Sequence, residues 1–154
     1  MPSSHKPRPS ATTFWSNYPN YTNYTGPQAW NKVGPWLSTS YGNSNSCAAR
    51  VSYGLNYGGQ PIPSNSEFQT NKNNDGKRYI IDASKLRAYL NDKWGAPDYK
   101  WPGTISNIAD LRSKLGTNDV AIVAYTGHIG VVTPTYNDQY TPYTGTGDVY
   151  IIKP

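Results

Sequence analysis

The sequence predicts an α+β fold, with N-terminal helices packed on a small antiparallel β-sheet. Up to Gly116, apolar residues recur at three- and four-residue spacing between Gly and Pro breakers, the pattern of short amphipathic helices. Beyond it the period changes to continuous apolar runs, Val120–Tyr125 (VAIVAY), His128–Thr133 (HIGVVT) and Asp148–Ile152 (DVYII), which suit buried strands. Helices first and strands second make an α+β arrangement. At 154 residues the chain is long enough to bury one core, so a single domain is expected over residues 14–154.

Taken in order, Met1–Thr13 (MPSSHKPRPSATT) reads as a flexible polar arm, and its His5 is given no role. The arm lacks the apolar centre of a secretory signal, and no stretch is apolar enough to span a membrane. Phe14–Tyr24 reads as irregular structure pinned by aromatic rings. Pro27 suits a helix first turn, and Trp30, Val33 and Leu37 follow at helical spacing, interrupted near Gly34 and Pro35. Asn43, Ser44, Asn45 and Ser46 are N-cap types, so Cys47 opens the next helix. Val51 and Leu55, with Ala48 and Tyr53, form its apolar stripe, and Gly58 and Gly59 end it. Gln60–Lys77 is expected to be a loop walling a groove beside Cys47. Tyr79–Ile81 is β-prone. Asp82 or Ser84 caps a helix carrying Leu86, Tyr89, Leu90 and Trp94, which Gly95 and Pro97 stop. Ser106 or Thr104 starts a third, with Ile108, Leu111 and Leu115, closed by Gly116.

The net charge of +5 is carried by scattered Lys and Arg, which suits an anionic substrate but makes no nucleic-acid patch. Fourteen Tyr and five Trp must supply much of the core and line any groove. A single cysteine allows no internal disulfide, and with two histidines it makes no metal-ligand set, so no metal or cofactor is expected.

A lone cysteine is more often a small buried hydrophobe than a nucleophile. Here the cap run places Cys47 at a helix start, where the peptide dipoles favour thiolate and lower a pKa of about 8.5. Thiol-dependent amide hydrolysis also needs an imidazole to carry the proton and a third group to orient it. His128 begins a buried strand directly after Gly127 and fits the first need. Asp138 and Asn137, in the turn after that strand, both fit the second. Arg50, one turn after Cys47, suits a fold-holding ion pair as well as substrate binding.

Cys47–Pro63 (CAARVSYGLNYGGQPIP), with Cys47, Arg50, Ser52, Tyr53, Leu55, Asn56, Gly59 and Pro61 in register, resembles the nucleophile helix of the type VI secretion amidase effectors, fourth family. The resemblance continues through Tyr79–Leu90, the Gly95–Asp98 turn, Gly127–His128 and the final VYIIKP. It implies a papain-like, NlpC-type cysteine peptidoglycan hydrolase, with Cys47 as nucleophile, His128 as general base and acid, and Asp138 orienting the imidazole. Tyr53 and Arg50 are then the substrate-binding candidates. The implied reaction cuts the amide between the γ-carboxyl of D-glutamate and meso-diaminopimelate in the stem peptide. The Cys47 amide would help hold the oxyanion. Implied partners are the secretion apparatus and an immunity protein blocking the groove; the implied destination is the periplasm of a target cell. The chain has no cysteine pair to brace the loop 134–147, which leaves Tyr136, Tyr140 and Tyr143 to do so. The competing reading is a non-catalytic module that stacks glycans on Trp15, Trp30, Trp36 or Trp101, and a third is a transamidase of the same fold.

Overall fold

The computed structural model describes residues 7–42, 44–125, 127–138 and 146–154. His5, Asn43, Tyr140 and Tyr143 lie outside the described residues.

The chain is docked from its first described residues, in contrast to the arm expected over residues 1–13. Arg8 Nη1 donates to Asp98 Oδ2 at 2.5 Å and to Ile151 O at 2.9 Å, and the Ala11 amide donates to Lys153 O at 2.7 Å. Helix α1 (Ala11–Asn17) follows, where irregular structure was expected. Its apolar residues are Ala11, Phe14 and Trp15, too short a run for a periodicity to register, yet the first two are fully buried.

Helix α2 (Gly26–Val33) starts with a capping box between Thr25 and Gln28 and carries Pro27 in its first turn. It is separated from α3 (Pro35–Tyr41) by Gly34, at φ 136°, a conformation that a side chain would strain. Helix α4 (Cys47–Tyr57) is the centre of the domain. Cys47 to Ser52, Gly54, Leu55 and Asn56 are all buried, because α1, α2 and the sheet cover successive faces. A Cβ at Gly54 would stand 2.7 Å from the Phe14 ring, so α1 reaches its seat only over glycine.

The 60–77 stretch is not wholly loop. It contains β1 (Thr70–Lys72), paired antiparallel with β2 (Arg78–Ile80). The turn between them is fastened by polar side chains. Asn73 Nδ2 donates to Val33 O at 2.6 Å, and the Tyr57 and Tyr79 hydroxyls donate to Asp75 Oδ2 at 2.7 and 2.8 Å.

Asp82 caps α5 (Ala83–Trp94) by accepting from the Lys85 amide. Asn107, rather than Ser106 or Thr104, caps α6 (Ile108–Ser113). The main sheet comprises β3 (Tyr99–Trp101), β4 (Val120–Tyr125), β5 (Ile129–Val132) and β6 (Gly147–Ile152), ordered β3-β6-β4-β5 and antiparallel throughout. Both faces are covered. Val120, Ile122, Ala124, Ile129, Val131, Tyr150 and Ile152 pack on the helical layer, while Ala121, Val123, Tyr125, Val132 and Val149 pack on Trp101, Ile105 and Leu111. Two-sided burial is why these strands read as continuous apolar runs.

β6 carries one charge inward. Asp148 is 1% exposed, and Arg87 Nε, Lys100 Nζ and Asn91 Nδ2 donate to its carboxylate at 2.9, 2.6 and 3.1 Å. Burial alone would raise this carboxyl, but the donors outweigh it and hold it near 2. Asp148→Ala is therefore expected to cost about 2 kcal/mol or more in urea unfolding at neutral pH. A depressed carboxyl stabilises above its unfolded value, so the wild type's margin should be full above about pH 4 and shrink as pH falls toward 2.

Candidate active site

Cys47 is the first residue of α4 and is 4% exposed. Of the expected cap residues, Asn45 makes the contact: its Oδ1 accepts from the Cys47 amide at 3.0 Å. Ser46 occupies the cap position without capping, because its hydroxyl accepts from Arg50 Nε at 2.8 Å. The Cys47 amide, expected to face an oxyanion, is thus engaged by Asn45 in this conformation.

His128 is half-buried at the mouth of the sheet, between β4 and β5. Its carbonyl accepts from the Tyr125 amide at 2.7 Å, which closes the tight connection. The next residue, Ile129, packs with Cys47 in one buried cluster, so β5 brings the start of the histidine strand against the start of α4.

Burial pushes Cys47 up, the amides of Ile129 and Ala48 pull it down, and the net direction is upward. The expected depression by the helix dipole is overturned because desolvation of a nearly enclosed sulfur outweighs the fractional charge of one helix end. Burial also lowers His128. Both shifts favour a neutral thiol beside a neutral imidazole.

Asp138 is fully buried and doubly tied to β5. Its amide donates to Val131 O at 3.1 Å, and its Oδ2 accepts from the Val131 amide at 2.8 Å. The Tyr18 hydroxyl donates to Oδ2 at 2.9 Å, and the Tyr136 hydroxyl donates to Oδ1. Burial raises the carboxyl to about 6, against the pull of these donors and of Arg50. Its charge is felt at Cys47. Asn137 is only half-buried and bridges Val132 through its backbone.

Arg50 has neither of its expected roles. It is fully buried, and its Nη1 donates to Pro19 O at 2.9 Å and Tyr24 O at 3.0 Å, while its guanidinium carbon stands 3.5 Å from the centroid of the Tyr21 ring. It makes no ion pair within 4.0 Å among the described residues. It clamps the segment 19–24 onto α4. Tyr53 lies about 9 Å further along α4 than Cys47. It packs with Trp30, Val33 and Tyr79, stacks on Tyr57 at 4.3 Å and carries Lys32 Nζ 5.4 Å from its ring centroid. The structure does not bring it to the thiol.

The aromatic platforms of the binding-module reading are largely spent in the core. Trp30 and Trp101 are 1% and 5% exposed, Trp15 is half-buried, and Trp36 stands out at 57%. Among the described residues no group of three or more His, Cys, Asp or Glu could hold a metal ion, and no helix is long and apolar enough to cross a membrane. From the region expected to wall the groove, Gln69 and Asn71 line a shallow hollow with Tyr41 and Ser44, just upstream of Cys47.

Residues 43–151 match the family described as type VI secretion system amidase effector protein 4. No curated protein matches the sequence. Among solved structures, the Tae4–Tai4 effector–immunity complex from Enterobacter cloacae is similar at TM-score 0.75 and 24% identity, covering 96% of this chain and 100% of that one. Tae4 from Enterobacter cloacae alone gives 0.75 and 23%, covering 97% and 100%. The Tae4–Tai4 complex from Salmonella Typhimurium gives 0.74 and 24%, covering 95% and 99%. The fold is therefore the papain-like, NlpC-type fold, as expected.

A clamp on the fold should fail without substrate. Arg50→Lys keeps the charge but cannot reach Ser46, Pro19 and Tyr24 together, and is expected to lose about 2–3 kcal/mol in urea unfolding of the free protein.

Proposed function

The chain belongs to the type VI secretion system amidase effector family 4, whose members are antibacterial peptidoglycan amidases delivered into target cells, and from that membership and the site geometry we propose a cysteine mechanism and a specific bond. The bond is the amide joining the γ-carboxyl of D-glutamate to meso-diaminopimelate. The observation that carries the mechanism is the packing of α4 on β5, which puts the only cysteine in one buried cluster with Ile129, the residue after His128.

His128, neutral at rest, takes the Cys47 proton as the sulfur attacks the γ-carbonyl carbon. The C=O electron pair moves onto oxygen. Asn45 turns away from the Cys47 amide, which then donates to that oxyanion together with the helix N-terminus. Collapse of the intermediate expels the diaminopimelate amine, which receives its proton from imidazolium and leaves a thioester on Cys47. His128 next deprotonates a water, which attacks the thioester; collapse releases the stem fragment with a free D-glutamate γ-carboxylate, and the imidazolium returns its proton to the departing Cys47 thiolate. Asp138 stabilises each imidazolium and holds the ring orientation. No metal takes part in these steps.

The net charge of +5 suits the carboxylates of stem peptides. The solved relatives include effector–immunity complexes. A cognate immunity protein is accordingly the partner here too, inserting a loop over Cys47 and His128.

Digestion of purified diaminopimelate-type peptidoglycan should release fragments cut between D-glutamate and diaminopimelate, read by mass spectrometry. Cys47→Ala should release none. Fragments from folded Cys47→Ala would sink the cysteine mechanism, and transfer products in place of hydrolysed ones would make the chain a transamidase. Because the mechanism needs Asp138 ionised and Asp138 is raised to about 6, kcat/KM should fall as pH drops below that value. Folding should not fall with it. A raised carboxyl stabilises when protonated, so this group's contribution to stability is full below about pH 4 and is lost as pH rises through 6.

A further inference from the structure

We propose that Tyr18 and Tyr136 are positioning residues of the amidase, two phenols whose protons fix the orientation and charge of the Asp138 carboxylate for His128. The proposal rests on Asp138 being the third member of the catalytic set.

Each phenol directs its proton for a structural reason. The Tyr136 hydroxyl accepts from the Tyr21 amide at 3.0 Å, so its own proton goes to Asp138 Oδ1. The Tyr18 hydroxyl, in a side chain 4% exposed, donates to Oδ2, which the Val131 amide also reaches from β5. The carboxylate thus has donors on both oxygens and cannot rotate without breaking several bonds at once. Arg50 and Cys47 of α4 face the same carboxylate electrostatically, the first favouring its charge and the second disfavoured by it. A donor to a carboxylate favours the charged form, and here the donors oppose the burial that would otherwise keep Asp138 protonated.

The N-terminal segment is therefore part of the machinery. Tyr18 follows α1, outside residues 43–151 that match the family. Phe14 stacks on it with ring centroids 5.5 Å apart, Trp15 lies 5.9 Å from it and 5.0 Å from Tyr136, and Arg50 anchors the backbone that follows at Pro19 and Tyr24.

Tyr18→Phe and Tyr136→Phe in the full chain keep the ring packing and delete one donor each. Thermal melts first establish folding. Hydrolysis of a soluble diaminopimelate muropeptide is then followed against pH, together with the side-chain carboxyl ¹³C resonance of Asp138. Each variant should move the acid limb of kcat/KM and the Asp138 titration upward by about one pH unit, the effect of losing one donor. The loss should fall on kcat, with KM unchanged. Folded variants with the wild-type acid limb and the wild-type Asp138 titration would overturn the proposal. If one variant does not fold the other decides, and if neither folds the phenols are structural and the proposal is overturned. Asp138→Asn separates the two levels. Full activity there overturns the catalytic reading of Asp138 and the positioning role with it, whereas loss of activity there with unmoved profiles in the phenol variants overturns the positioning role alone.

Discussion

A charge buried beside α4 has to be solvated by the protein itself, and the Arg50 guanidinium sets the arrangement of the N-terminal third. With 0% exposure and no carboxylate within ion-pair distance among the described residues, it is held by the hydroxyl of Ser46, the carbonyls of Pro19 and Tyr24 and the face of Tyr21. The two carbonyls lie on a segment with no regular structure of its own, which the arginine ties to α4. The same segment carries Tyr18 and Tyr21, whose hydroxyl and amide reach Asp138 and Tyr136. One buried cation thus connects the helix that carries the thiol to the carboxylate beside the histidine strand.

The second buried charge behaves in the opposite way. Asp138 receives its donors from β5, Tyr18 and Tyr136, and still lies well above the ordinary carboxylate range, because burial is complete and among the described residues it makes no ion pair. Asp148, equally hidden, lies near 2 because Arg87 and Lys100 bond to it directly. The contrast separates a carboxylate that holds the sheet edge to α5 and β3 from one whose charge is finely balanced. A balanced carboxylate suits a catalytic neighbour, since small changes in its donors change how fully it is ionised near neutral pH.

Burial also decides the state of the thiol. At Cys47 burial is the largest influence and the net direction is upward, although the thiol stands at a helix start. Burial moves Cys47 upward and His128 downward, and both directions favour the neutral forms. In the proposed mechanism the thiolate forms as the imidazole takes the proton.

Residue patterns with short-range causes were legible in the sequence. The start of α4 at Cys47, the cap at Asp82, the break at Gly34, and strands β4, β5 and β6 each follow from neighbours a few positions apart. Cys47, His128 and Asp138 could be named as candidates because cysteine and histidine are so few in this chain and because the Cys47 helix resembles that of a known family. The contacts of Arg50, Tyr18, Tyr136 and Asn45 could not, nor could the sign of the shift at Cys47. Tyrosines are so abundant here that none stands out. A guanidinium one turn after a nucleophile looks equally like a clamp or a substrate ligand until the residues facing it are known. Periodicity and capping are properties of adjacent residues, so the chain alone determines them. Burial, the direction of a hydroxyl proton and the balance of charge on a carboxyl depend on groups far apart in sequence, Tyr18 and Asp138 among them, which only the tertiary structure brings within bonding distance.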